Sequence, residues 1–201
     1  MAAALRGAPA PESELDGILA FLRTAERLKS LPRSGWTTAG EPESVAAHTW
    51  RLCLMAVVLA DRFPGIDLAR LLKICVIHDL GEALHGDVPA PAQSPDASKA
   101  ARERADLQAV LDPLPAPLAA ELTALWDEYE AARTPEAQLA KGLDKLETIL
   151  QHTQGLNPAD FDYRFNLDYG RPYTAAHPVL AELRARLDRE TEARARGEAP
   201  E

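Results

Sequence analysis

The stretch Val76-Ile77-His78-Asp79-Leu80-Gly81-Glu82-Ala83-Leu84-His85-Gly86-Asp87 begins as the apolar side of a helix and then sets five ionisable or imidazole side chains within ten residues. Polar groups of this kind resist burial unless they are paired or hold a metal ion, so groups that continue an apolar face need a partner. Upstream, Pro64-Gly65 interrupts the chain and Asp67 is placed to cap a new helix. Along one side of that helix Leu71, Cys75, His78 and Glu82 follow at i, i+4, i+7 and i+11. The spacing predicts a helix whose buried stripe turns from hydrocarbon to ligand-bearing side chains.

The same period runs through most of the chain and no window offers strand alternation, which predicts an all-α helical bundle. A first helix is expected over 12–29, with Leu15, Ile18, Leu19, Leu22 and Ala25 on one buried face. Behind Ser44 as N-cap a second is expected to residue 62, with the stripe Val45, His48, Leu52, Met55 and Leu59. Later helices are expected over 98–111, 117–132, 135–153 and 179–194, the third of these opened by Thr134 as cap and Pro135 at its first position. Proline and small residues make 31–42 and 89–95 loops. The aromatic run 156–178, with Phe161, Tyr163, Phe165, Tyr169 and Tyr173, is expected to pack as a loop or short turns, and the highly charged end of the last helix to fray. The 201 residues read as one domain over 1–201, with its core at about 12–155 and the aromatic loop and final helix over 156–195.

Composition narrows the partners. Hydrophobic residues at 46% and charged residues at 26% suit a packed globular chain. The 31 acidic against 22 basic residues give a net charge of -9, which repels nucleic-acid polymers and anionic membranes. A small phosphate-bearing substrate stays possible, because a metal ion and a few Arg or Lys reverse the sign of one pocket. Cys53 and Cys75 lie in apolar helical runs and read as free thiols, which points to a reduced, cytoplasmic setting. Residues 1–10 hold no apolar leader core, and the longest uncharged run, 52–60, is far short of the ~20 residues that span a bilayer.

Two inward histidines and an adjacent aspartate suggest a site for a Zn, Mn, Fe, Co or Ni ion. His48 and His78 are thirty positions apart, so their side chains must converge from different helices. A fourth ligand is expected from Asp144, beside the apolar stripe Leu139, Leu143, Leu146 and Leu150.

His48, the doublet His78-Asp79 and the distant Asp144 form the H…HD…D pattern, and on it the chain resembles the HD-domain metal-dependent phosphohydrolases. More narrowly, Pro32-Arg33-Ser34-Gly35-Trp36, the segment from Pro42 to His48, His78 to Glu82, Gly86-Asp87 and Asp144-Lys145-Leu146-Glu147 are similar to the HD-domain 5′-deoxynucleotidases. The resemblance implies a helical HD-domain bundle and one divalent metal on His48, His78, Asp79 and Asp144, with positions left for water and a phosphate oxygen. It implies Glu82 as acid/base on the attacking water, and Asp87 at the sugar or the leaving 5′-oxygen. It further implies Arg33 on phosphate oxygens, Trp36 stacked on a base or walling the pocket, and Lys145 among the substrate-site residues, balancing local negative charge. The substrate would be a nucleoside 5′-monophosphate, with deoxynucleotides preferred, and the protein a homodimer. The chain departs from the pattern at Ala47, where relatives carry an acid, and in a short loop from Trp36 to His48. Two other readings stay open: an HD hydrolase of an alarmone or nucleotide analogue, and a non-catalytic helical module that keeps a metal for stability. His85 reads as a surface or rim residue, His152 and His177 as structural or exposed, and Trp50, Trp126 and Tyr129 as core or subunit-contact aromatics.

Overall fold

The computed structural model describes residues 11–86 and 97–198, the first four of the second span by backbone alone. Asp87 and the expected loop 89–95 lie outside the described residues. Helices α1 (Glu12–Ala25), α2 (Val45–Val58), α3 (Leu68–Ile77), α4 (Glu82–His85), α5 (Ala97–Leu111), α6 (Ala116–Ala131), α7 (Pro135–Gln154), α8 (Arg171–Thr174) and α9 (Pro178–Ala195) dominate, as expected for the helical class. Local chemistry sets their starts. Ser44, Asp67 and Thr134 each accept a backbone N–H three residues on, from Ala47, Arg70 and Ala137, and a cap of this kind stabilises a helix start by about 1 kcal/mol.

Several boundaries differ from the sequence reading. Residues 31–42 are not all loop: β1 (Pro32–Trp36) and β2 (Pro42–Ser44) pair antiparallel, with a bulge between the Pro32/Ser44 and Trp36/Pro42 pairs. Gly40, at φ +80°, closes the hairpin by donating its N–H to Thr37 O. The first helix becomes a 3-10 turn over Glu26–Lys29, and α2 gives way to a second over Ala60–Arg62. On α1, Leu15, Leu19 and Leu22 are about half exposed, while Ile18, Phe21 and Ala25 pack inward. Helix α3 stops at Ile77, so Glu82 does not continue it but opens α4 after a turn. Gly81 lets α5 pack close against that turn: a Cβ there would lie 3.0 Å from Glu103 O on α5. The end of α9 is pinned rather than frayed, because Arg194 donates to Gly155 O at 3.0 Å and to the Tyr163 hydroxyl at 2.7 Å.

The buried side of α7 faces α2, α3, α6, α8 and α9, making it the central rod. One core cluster joins Leu52, Ile74, Leu143, Leu146 and Leu180 around it; a second joins Ile77, Leu80, Leu107, Leu111 and Trp126 under α1 and α5. Cys75 belongs to the first and Ile77 to the second, which puts His78 at their seam.

Candidate metal centre

Three elements deliver the polar groups: the first turn of α2 gives His48, the end of α3 gives His78 and Asp79, and the middle of α7 gives Asp144. His48 Nε2 lies 3.3 Å from Asp144 Oδ1 and 3.9 Å from Asp79 Oδ2, and His78 Nε2 lies 3.1 Å from Asp79 Oδ2. Ligand atoms of His48, His78 and Asp144, all buried, come within 4.8 Å of one another.

Each imidazole is aimed by its other nitrogen. His78 Nδ1 donates to Cys75 O at 2.7 Å, and His48 Nδ1 donates to the Glu147 carboxylate. Both Nε2 lone pairs therefore point into the cluster, where both atoms are buried with no hydrogen-bond partner among the described residues. A buried acceptor without a donor is costly, and a metal ion is the group that satisfies two such lone pairs and two carboxylates together. The residues present fit a divalent cation. Charge agrees: burial and Arg33 oppose a proton on His48, yet Glu147 and Asp144 leave its pKa raised to about 9. The cluster is short of positive charge at that point. Burial would raise the Asp79 and Asp144 carboxyls, but His78 and Arg33 hold the first below the usual range, and Lys145 with the two histidines holds the second well below it.

Around this centre lies a cleft of about 430 Å³ lined in part by Arg33, Asp79, Glu82, Asp144 and Lys145. Arg33 is held in place by donating to Asp79 Oδ2 at 2.9 Å and to Thr148 Oγ1 at 3.2 Å. Lys145 Nζ is 2.9 Å from Asp144 Oδ2, so it serves the carboxylate as well as the cleft. Glu82 faces the cleft from the first position of α4. Trp36 is not among the lining residues; the Gln151 side chain donates to its backbone carbonyl. His85 is an exposed partner of Asp106, and His177 caps α9 by accepting from Val179 N.

Glu147 and Tyr129 do work that no sequence pattern assigned them. Fully buried Glu147 accepts from His48 and, at 2.7 Å, from Arg51 Nε, which places a carboxylate behind the His48 ring. The signal for Glu147 lay in the segment Asp144-Lys145-Leu146-Glu147, which carried the resemblance, and in a glutamate set inside the stripe Leu143, Leu146, Leu150. Tyr129 donates its hydroxyl to Asp144 Oδ2 at 2.7 Å, and burial with the nearby Asp144 charge keeps that phenol protonated. Trp126, also buried, donates to His78 O. His152 is a buried residue of the cleft wall.

Comparison with known proteins sets this geometry in a family, since the HD domain matches residues 25–184. The chain belongs to the HD-domain family. Within it, the chain is similar to the 5′-deoxynucleotidase HDDC2 of Bos taurus, with 33% identity over 187 residues covering 92% of this chain and 90% of the relative. It is 38% identical over 143 residues to the 5′-deoxynucleotidase hdd1 of Schizosaccharomyces pombe, covering 67% of this chain and 70% of that one. Among solved structures, the predicted metal-dependent phosphohydrolase of Magnetospirillum magnetotacticum superposes with a TM-score of 0.80 at 30% identity, covering 96% of this chain and 99% of that one. This HD domain is thus of the 5′-deoxynucleotidase-like type.

Proposed function

We propose that this protein is a metal-dependent phosphohydrolase that releases phosphate from nucleoside 5′-monophosphates, with deoxynucleotides preferred. The observation that carries the reading is the pair of buried Nε2 atoms, without a hydrogen-bond partner among the described residues, that converge with Asp144 beside Asp79 and Arg33. One divalent cation on His48, His78, Asp79 and Asp144, whether Mn, Co, Fe, Ni or Zn, would lower the pKa of a coordinated water and offset charge gathering on the phosphoryl group.

The chain's own groups divide the remaining tasks. Arg33, fixed by Asp79 and Thr148, offers its guanidinium to phosphate oxygens on the cleft side. Glu82 takes the proton of the attacking water, and Lys145 holds the Asp144 carboxylate while adding positive charge to the cleft. Asp87 is assigned to the sugar or leaving oxygen on the family resemblance alone. Trp36 receives no role against the base. Packing of α9 on α7 supports one domain.

The test is metal analysis of the purified protein, then phosphate release over a panel of mono-, di- and triphosphates with that metal restored. Monophosphates should be cleaved, His78→Ala should abolish turnover, and Glu82→Gln should abolish it with metal still bound. Activity retained in His78→Ala would sink the site, and unchanged function in Glu82→Gln would favour the non-catalytic module.

The same reading includes a homodimer in the cytoplasm. On α2, Trp50, Leu54, Val57 and Val58 recur at i, i+4, i+7 and i+8 and are 66, 43, 49 and 68% exposed, a stripe suited to a second copy of the same face. Light scattering should give twice the chain mass, and Trp50→Lys should lower it; a monomer mass for the wild type at working concentration would overturn the dimer. No described helix is long and apolar enough to cross a membrane, and both cysteines are free thiols.

A further inference from the structure

The aromatic segment has no part in the metal centre, yet it lines the same cleft. Along α7, Asp144, Thr148 and His152 lie at i, i+4 and i+8, so the cleft-facing side of the helix runs roughly 12 Å from the cation ligands to His152. Arg33 bonds Thr148 midway, and Ser34 Oγ sits 3.2 Å from His152 Nε2 at the far end. The segment runs beside this row in the opposite sense. Tyr169 stacks under Lys145 Nζ at 5.0 Å, next to the cation ligands, whereas Phe161 meets the His152 ring edge-on at 4.8 Å. Phe165 lies between them in the chain, its ring 5.3 Å from that of Tyr169. Phe161 and Phe165 both line the cleft and are only partly buried.

Two phenyl rings left open to a cleft lose hydrophobic stabilisation unless a ligand covers them. The backbone that carries them is firmly held: buried Arg184 donates to the carbonyl oxygens of Asn166, Leu167 and Tyr169 at 2.6–2.7 Å, and His152 Nδ1 donates to Asn166 Oδ1 at 2.9 Å. A trough with the candidate cation ligands, Lys145 and Arg33 toward one end and aromatic rings at the other, over the span of a nucleotide, fits a phosphate and a base joined by a sugar.

We propose that the segment bearing Phe161 and Phe165 is the nucleobase wall, on which the base of the substrate stacks while its phosphate reaches Arg33 and the cation ligands. This rests on the phosphohydrolase reading above. Recognition through ring faces tolerates every base and favours the larger purine, so deoxynucleoside monophosphates of all four bases should be substrates.

The test uses metal-loaded full-length protein, dAMP as substrate, and two competitive inhibitors: deoxyadenosine, which carries the base without phosphate, and inorganic phosphate, which carries no base. Phe161→Leu and Phe165→Leu keep apolar volume but remove the ring. Each should raise the inhibition constant of deoxyadenosine about ten-fold relative to that of phosphate, with metal content unchanged, and Phe161→Tyr should preserve the wild-type ratio. An unchanged ratio in both leucine variants, or no inhibition of the wild type by deoxyadenosine, would overturn the base wall while leaving the hydrolase intact. Absence of dAMP hydrolysis by the wild type would instead overturn the phosphohydrolase reading beneath it.

Discussion

His48 and His78 present Nε2 to the same point because a carboxylate and a carbonyl hold their Nδ1 protons. A metal-binding imidazole depends on that outer bond for its tautomer, its orientation and part of its basicity. Glu147→Gln keeps the shape but removes the charge that faces His48 and Arg51. Metal affinity should fall by roughly 10–100-fold, measured by competition with a chromogenic chelator; unchanged affinity would show that Glu147 serves packing only. The four candidate ligands were legible because each is a polar group on or beside an apolar stripe and together they fit a known pattern. The roles of Glu147, which the resemblance included without assigning it one, and of Tyr129 were not, since they lie in contacts across 99 and 15 positions that no local period encodes. His152, read from the sequence as structural or exposed, is buried and bonded to Asn166. Burial is the main force lowering its pKa, and Arg33 adds to it, against the bond to Asn166. A histidine whose folded pKa is depressed binds fewer protons than the unfolded chain does. Its contribution is therefore intact above the unfolded value, about 6.5, and is lost as pH falls toward the lower folded value. The urea midpoint of the wild type should drop below pH 6.5, and that of His152→Asn should drop less. Imidazole titration by NMR should place the midpoint of His152 under 6.5.

Among the elements, the long helices were legible from period and caps, and α7 most of all, where the Thr134 cap, Pro135 and the leucine stripe agree. The hairpin was not, because Pro32-Arg33-Ser34-Gly35-Trp36 has no alternation and its strand is made by backbone pairing with a single neighbour. That matters for the site, since the hairpin places Arg33. The break between α3 and α4 was equally silent: a helix through Glu82 and a turn before it put the same residue near His78, and no local period separates the two. The aromatic segment, too irregular for any period, is ordered from outside by α7 and α9: His152 bonds Asn166, Arg194 bonds Tyr163, and Arg184 makes the most contacts. Arg184 is 4% exposed and joins Asp188 Oδ1 at 2.5 Å as well as three backbone carbonyls. Arg184→Met should cost about 3–5 kcal/mol, read from chemical denaturation, because it leaves those acceptors buried and unpaired. If the segment walls the cleft, KM for dAMP should rise in the same variant by more than kcat falls.

For the whole molecule, the ligands lie on elements separated by 30 residues between His48 and His78 and by 65 between Asp79 and Asp144, so a cation at their meeting point ties α2, the end of α3 and α7 together. Without it, two carboxylates and two unpartnered imidazole nitrogens face one another inside the protein, which favours local opening of those helices. A ligand that binds only the folded state stabilises it by about 2.7 kcal/mol at a hundred times its Kd. For a chain of this size that corresponds to a rise of roughly 5 °C or more in Tm. The chelated wild type should therefore gain at least that much when Mn or Zn is restored, and His48→Ala and Asp144→Ala, which remove ligands from different helices, should each lose most of the gain. A gain that survived both substitutions would mean that the stabilising ion binds elsewhere. A flat response in the wild type across all five candidate metals would mean that the Nε2 atoms are satisfied by something other than a cation, and the hydrolytic chemistry would lose its foundation.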